Sequence, residues 1–192
     1  LSSECATRFP AHFLSLDAAL QSIQTEFNIS PGDFDSRGDI TFPSSGGQIE
    51  DRGGFKYYQP SSMWKRYGLA VVGLYEDDKW LSMKLNKGGW AVGFHGTRSS
   101  PEALGPILNT RTIIQGKANA YGGTRAINRT DLIPKIGIYF TQNVEDCYKM
   151  KILLNGDNYE IAFQCRIHPD HLWQANNRSY IVVDSPVYVR PY

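Results

Sequence analysis

The chain has 192 residues, the size of one domain, and is long enough to bury a core without disulfide or metal staples. Apolar residues make up 41% and charged residues 20%, as in an ordinary globular protein. Lysine and arginine number 20 against 19 acidic residues, a net charge of +1 with no basic stripe; this argues against a nucleic-acid binder and still allows an anionic ligand held by a few groups.

In chain order, residues 15 to 27 predict an amphipathic helix, with Ser15 as its cap and Leu16, Leu20, Ile23 and Phe27 on one face. Asn28, Pro31 and Gly32 stop it, and residues 31 to 54, dominated by Gly, Ser and Asp, read as a long irregular loop. Ser61-Ser62 followed by Met63, Trp64, Tyr67 and Leu69 predicts a second helix. Trp90 to Phe94 reads as a buried strand that delivers His95 at its end.

Ser100-Pro101-Glu102 is a helix start, carrying Leu104, Ile107 and Leu108 to about Asn109. A glycine-bearing loop covers residues 110 to 135. Gly137 to Phe140 is a short apolar strand, and Asn143 to Leu153 is expected to be helical. Tyr159 to Ile167, Tyr180 to Val183 and Val187 to Val189 complete the strands. The pattern is α+β, divided into residues 1 to 60 (a helix and long loop packed on the rest) and residues 61 to 192 (the domain carrying the chemistry).

The three cysteines, Cys5, Cys147 and Cys165, are odd in number and far apart, so they suggest neither a zinc knuckle nor a disulfide framework and fit a reducing compartment. No apolar run approaches membrane-spanning length. His168 and His171 lack a completing ligand cluster, so no metal is expected. Arg37-Gly38-Asp39, in a Gly/Asp-rich loop, reads as turn chemistry.

His95-Gly96-Thr97-Arg98, directly after a buried strand, pairs a polar side chain with a glycine that lets a ligand approach the backbone. Alone it is better explained by a hydrogen-bonded histidine at a strand end, with a turn glycine after it. Gly137-Ile138-Tyr139-Phe140 and Ser179-Tyr180-Ile181-Val182-Val183 are, taken singly, ordinary strands.

In this order the motifs resemble those of the poly(ADP-ribose) polymerase, or diphtheria-toxin-like, ADP-ribosyltransferases. The stretches Gly53-Gly54-Phe55-Lys56-Tyr57-Tyr58, Trp64-Lys65-Arg66-Tyr67, Trp90-Ala91-Val92 and Val189-Arg190-Pro191-Tyr192 look like a divergent branch, the CteC-type bacterial effectors that ADP-ribosylate ubiquitin on threonine. The resemblance implies a split β-sheet core with short helices and an N-terminal helical segment. It implies NAD+ as co-substrate, no metal, and a protein acceptor, with ubiquitin named by the narrower match. It also implies neither a nucleic-acid nor a membrane partner, and an effector acting in host cytosol. An ordinary cytoplasmic enzyme would look the same.

The resemblance also implies roles. His95 would hydrogen-bond a ribose hydroxyl, and Gly96 would hold the nicotinamide carboxamide through its backbone. Thr97 and Arg98 continue the turn, with Arg98 reaching toward the pyrophosphate or an adenosine-side group. Tyr139 would wall the nicotinamide pocket, and Tyr148, from the following helix, would stack on the other ring face. An ungapped comparison instead puts Met150 at the stacking place and Cys147 where the family has a serine bonded to the carboxamide. Ser179 stands where chain-building polymerases have a glutamate, which points to transfer of a single ADP-ribose or, alternatively, to a weak or inactive binding module. A third reading is a hydrolase using Cys147 or Cys165 with His95.

Overall fold

The computed structural model describes residues 16–96, 104–113, 137–147, 149–154, 156–174 and 180–192. Helix α1 (Leu16–Glu26) comes first, as the spacing of its apolar positions predicts, and Ala19 is its buried contribution to the core. Ser15 lies outside the described residues.

The segment expected to be an irregular loop carries structure. Strand β1 (Ile40–Thr41) is followed by β2 (Ile49–Arg52) and β3 (Phe55–Tyr58), which form an antiparallel hairpin. Its two-residue turn, Gly53-Gly54, has φ of 59° and 82°, the conformation that matches strand twist and that only glycine adopts freely.

The helix expected from Ser61 is absent. In its place are a turn and the short strand β4 (Lys65–Arg66), paired with β1. Met63 is exposed, Trp64 packs on one apolar cluster and Leu69 lies in the other, so these residues do not share one helical face, and Gly68 lies directly against Gly38.

Strand β5 (Ala91–His95) is buried along its whole length, and α2 (Leu104–Thr110) follows. The proposed start of α2 at Ser100–Glu102 lies outside the described residues. Strand β6 (Ile138–Thr141) leads into one 3-10 turn and then β7 (Met150–Leu154), where the sequence predicts a helix. The capping signal is real, because the Asn143 side chain accepts from the Glu145 N–H. Beyond it, Met150, Ile152 and Leu154 alternate with exposed Lys151 and Leu153, a period of two that selects a strand.

The expected single strand from Tyr159 to Ile167 is two strands in different sheets, β8 (Asp157–Ile161) and β9 (Phe163–Ile167). Then come β10 (Trp173–Gln174), β11 (Tyr180–Val183) and β12 (Val189–Pro191); residues 186 to 188, partly expected as strand, form a 3-10 turn.

The α+β reading therefore holds. A six-stranded sheet ordered β10-β11-β6-β5-β9-β12 is the centre, and β7-β8 form a separate two-stranded sheet. The largest apolar cluster joins Ile138, Phe140, Cys165 and Ile167 of the large sheet to Met150 and Ile152 of β7, Ala19 of α1, and Leu104 and Leu108 of α2. On the other face, Val92 and Phe94 of β5 pack with Tyr57 of the hairpin and with Val144. Strand β5 is thus covered on both sides, which explains its unbroken apolar sequence.

Candidate active site

His95 sits at the end of β5 and is only 6% exposed. Its Nδ1 lies 2.9 Å from the carbonyl oxygen of Tyr139. A carbonyl only accepts, so Nδ1 carries the proton and Nε2 is left as the acceptor of a neutral ring. Burial pushes the imidazole pKa down, and the bond to the Tyr139 carbonyl opposes that only in part. A neutral ring with an accepting Nε2 is suited to receiving a hydroxyl hydrogen.

Gly96, also buried, is the last described residue of this segment. Thr97, Arg98, Tyr148 and Ser179 lie outside the described residues.

The strands carrying the three motifs are neighbours. Strand β6 pairs with β5 through Phe94 and Thr141, and with β11 from Tyr180 opposite Thr141 to Val183 opposite Ile138. Gly137 has a packing reason of its own: a Cβ there would come within 2.7 Å of Val182 Cγ1 and of the Val183 carbonyl. The motif glycine is what lets the chain enter β6 against β11.

Side chains from these strands do not all converge. The His95 ring packs beside Phe140, with ring centroids 5.5 Å apart. Tyr139 packs on Val182, its partner across the strands. Successive residues of a strand face opposite sides, so the His95 ring and the Tyr139 side chain leave the sheet on opposite faces.

Cys147 packs with Val92, Phe94 and Val144, the face away from His95. Its Sγ donates to the Val144 carbonyl at 3.1 Å, and burial raises the thiol to about 11. Cys165 is fully buried, and its thiol is likewise raised by burial. Neither is an activated nucleophile, which removes the physical basis of the Cys–His hydrolase reading. Met150 to Leu154 form β7 where a helix was expected, and Met150 is buried in the core at 2% exposure.

His168 and His171 are accounted for by packing. His171 stacks on Tyr188 with centroids 3.3 Å apart, and the His168 side chain accepts from the Asp170 N–H. Among the described residues, no group of three or more His, Cys, Asp and Glu could hold a metal ion. Among them, too, no helix is long and apolar enough to cross a membrane. Arg37 and Gly38 belong to a 3-10 turn (Ser36–Gly38) that Asp39 follows as its C-cap, with the Asp35 carboxylate capping its start and pairing with Arg37.

Sequence reasoning missed a second polar feature, the buried arginines Arg111, Arg166 and Arg190. Arg166 donates to the carbonyls of Trp90 and Leu81. Arg190 stacks between Tyr75 and Trp90, each ring 4.2 Å from the guanidinium carbon. The only sequence signal for these was the crowding of aromatics at Tyr75, Trp80 and Trp90.

No known family, no curated protein and no solved structure matches this chain.

Proposed function

We propose that the protein is a mono-ADP-ribosyltransferase that transfers ADP-ribose from NAD+ to a protein acceptor, with a threonine of ubiquitin as the acceptor to try first. One observation supports this reading above the others. The strands bearing the His-Gly, Gly-Ile-Tyr-Phe and Tyr-Ile-Val-Val motifs, distant in sequence, are consecutive in the sheet as β5, β6 and β11.

In the proposed reaction the bond between nicotinamide and ribose C1′ breaks, with positive charge developing on the ribose. The acceptor hydroxyl oxygen bonds to C1′, its proton passes to a base, and nicotinamide leaves. The neutral His95 ring would accept a hydrogen bond from a ribose hydroxyl through Nε2, fixing the sugar as the bond lengthens. Gly96, lacking a side chain, would offer its backbone to the carboxamide. Action in a host cytosol as a delivered effector belongs to the same proposal.

A second reading is a transferase-like module that binds NAD+ or a protein without turnover. The separation of the His95 ring and the Tyr139 side chain onto opposite faces favours it, because one NAD+ molecule with its ribose on His95 and its nicotinamide against Tyr139 needs both on the same side of the sheet.

Incubation with NAD+ and ubiquitin, followed by intact-mass measurement and assay of free nicotinamide, separates the two. The transferase predicts one ADP-ribose on ubiquitin, lost in His95→Ala. Saturable NAD+ binding with no nicotinamide released would support the binding module. Neither binding nor release would end both.

A further inference from the structure

One end of the large sheet is tethered by a cluster of rings. His168 caps the 3-10 turn Pro169–His171, and its Nδ1 accepts the N–H of Asp170 at 3.3 Å. A backbone N–H only donates, so Nδ1 is unprotonated in this bond, and the ring is the neutral one with its proton on Nε2. The main chain adds two bonds to the turn. The His168 N–H donates to the Tyr188 carbonyl at 3.0 Å, and the His171 N–H donates to the His168 carbonyl at 3.1 Å.

The surroundings of the cap disfavour a new positive charge. The centroid of the His168 ring lies 5.0 Å from that of Trp90, 5.3 Å from that of His171 and 6.0 Å from that of Tyr188. Trp90 already carries the Arg190 guanidinium 4.2 Å from its ring, and its carbonyl takes a donor from Arg166 of β9. Arg190 is itself paired with the Glu76 carboxylate. Asp170, exposed in the same turn, is the acid beside His168. Burial holds the His168 imidazole below its ordinary pKa; Asp170 pulls the other way, and His171 and Arg190 push it further down.

Leu172 alone separates the turn from β10, the last strand at that end of the sheet. Strand β10 pairs with β11 through two residues, Trp173 opposite Val182 and Gln174 opposite Ile181, and both its residues are exposed. A strand so short and so little buried has almost no packing of its own, so its place depends on the turn that delivers it.

We infer that this turn is an acid-released latch on the edge of the sheet. A proton on Nδ1 sets an N–H against the Asp170 N–H, breaks the cap and adds a second cation beside a tryptophan that already holds one. The imidazolium swings out toward water and the Asp170 carboxylate, the turn loses its start, and β10 leaves β11 with its edge open. The open latch binds more protons than the closed one between the lowered value and the ordinary 6.5. The latch is therefore held shut above 6.5 and opens as pH falls through the lowered value.

Amide hydrogen exchange followed by NMR from pH 7.5 to 5, corrected for the intrinsic rate at each pH, tests this. In the wild type, opening at the amides that bond between β10 and β11 should rise by about threefold or more over that range. His168→Asn keeps a side chain that caps the turn and removes the titration, so its opening should stay constant. Nitrogen–proton correlation spectra of the imidazoles give a second readout that needs no variant. Nδ1 of His168 should be bare at pH 7.5 and gain its proton over the same range in which β10 opens. The same rise in His168→Asn, or a proton on Nδ1 at pH 7.5, would overturn the latch. So would a His168 that titrates while exchange in β10 stays flat. Nicotinamide release does not enter the test, so the latch and the transferase reading stand or fall separately.

Discussion

The imidazole of His95 and the backbone of Tyr139, residues from the first two motifs, meet through a single hydrogen bond of 2.9 Å from Nδ1 to the carbonyl. This bond fixes the tautomer and ties the end of β5 to β6, so it serves the fold whether or not NAD+ binds. It also sets a pH dependence. Burial lowers the His95 pKa below its ordinary 6.5, so between the two values the unfolded chain binds more protons than the folded one. Stability from this residue is therefore fully present above 6.5 and is lost as pH falls through the lowered folded value. Urea unfolding of wild type and His95→Gln across pH 5 to 7.5 should show a steeper slope in the wild type than in the variant, which keeps the smaller contribution of His168, also lowered by burial; parallel curves would contradict it.

Gly137→Ala should weaken the sheet even though residue 137 carries no side chain to lose. The added Cβ would meet Val182 Cγ1 and the Val183 carbonyl at 2.7 Å, and the carbonyl cannot move without disturbing the β6–β11 pairing. Overpacking of this kind costs about 1–3 kcal/mol, read as a lower unfolding midpoint in urea. A variant as stable as the wild type would mean that the strands separate at little cost.

Glycines with positive φ in the N-terminal part should divide into two classes. Gly53 has φ of 59°, and a Cβ there would meet the Trp90 carbonyl carbon and the Ala91 nitrogen, both at 2.6 Å. Gly47 has φ of 88° with nothing within 4 Å of the added atom. Gly47→Ala should cost about 1 kcal/mol, the backbone penalty alone. Gly53→Ala should cost more than that, because it also prises the hairpin from the start of β5. Thermal denaturation of the two variants side by side measures the difference, and equal losses would show that the hairpin is not anchored there.

These contrasts bear on what could be read in advance. Strands β5, β6 and β11 and helix α1 were legible because their apolar runs or periodicity are local properties. The hairpin had a readable sign in Gly53-Gly54, but its strands carry Glu, Asp, Arg and Lys, and that polarity reads as loop. Strand β7 was hidden by a genuine cap at Asn143, which nucleates only one turn before the alternation of Met150, Ile152 and Leu154 takes over. At the site, the three motifs were legible as strands, but that β5, β6 and β11 are neighbours is a matter of the fold, and no motif says which face each side chain takes. Arg111 and Arg190 were illegible for a different reason. Their burial depends on Asp33 and on Tyr75 and Trp90, brought to them from distant parts of the chain.

Cysteine reactivity should follow the same burial. Cys147 is held by its bond to the Val144 carbonyl with its thiol raised to about 11, and Cys165 is fully buried. Both should alkylate slowly with iodoacetamide at pH 7.5 in the folded protein and promptly in denaturant. Peptide mapping by mass spectrometry distinguishes them; fast modification of Cys147 in the native state would show an activated thiol and reopen the hydrolase reading.

The largest loss from a single polar side chain is expected at Arg166. Its guanidinium, from β9 and only 4% exposed, donates to the Trp90 carbonyl at 2.7 Å and to the Leu81 carbonyl at 3.1 Å. It also lies 4.9 Å from the centroid of the Tyr192 ring. These contacts tie residues 81 to 90 to the sheet just before β5 begins. Arg166→Met keeps much of the packing volume but leaves two buried carbonyls without donors, at a cost of about 2–4 kcal/mol. Arg37 offers the control: its side chain is 79% exposed, and its pair with Asp35 is open to water, so Arg37→Met should leave the unfolding midpoint unchanged. Arg166→Met matching Arg37→Met would mean that the carbonyls find water once the guanidinium is gone, and that the segment before β5 is held by its tryptophans alone.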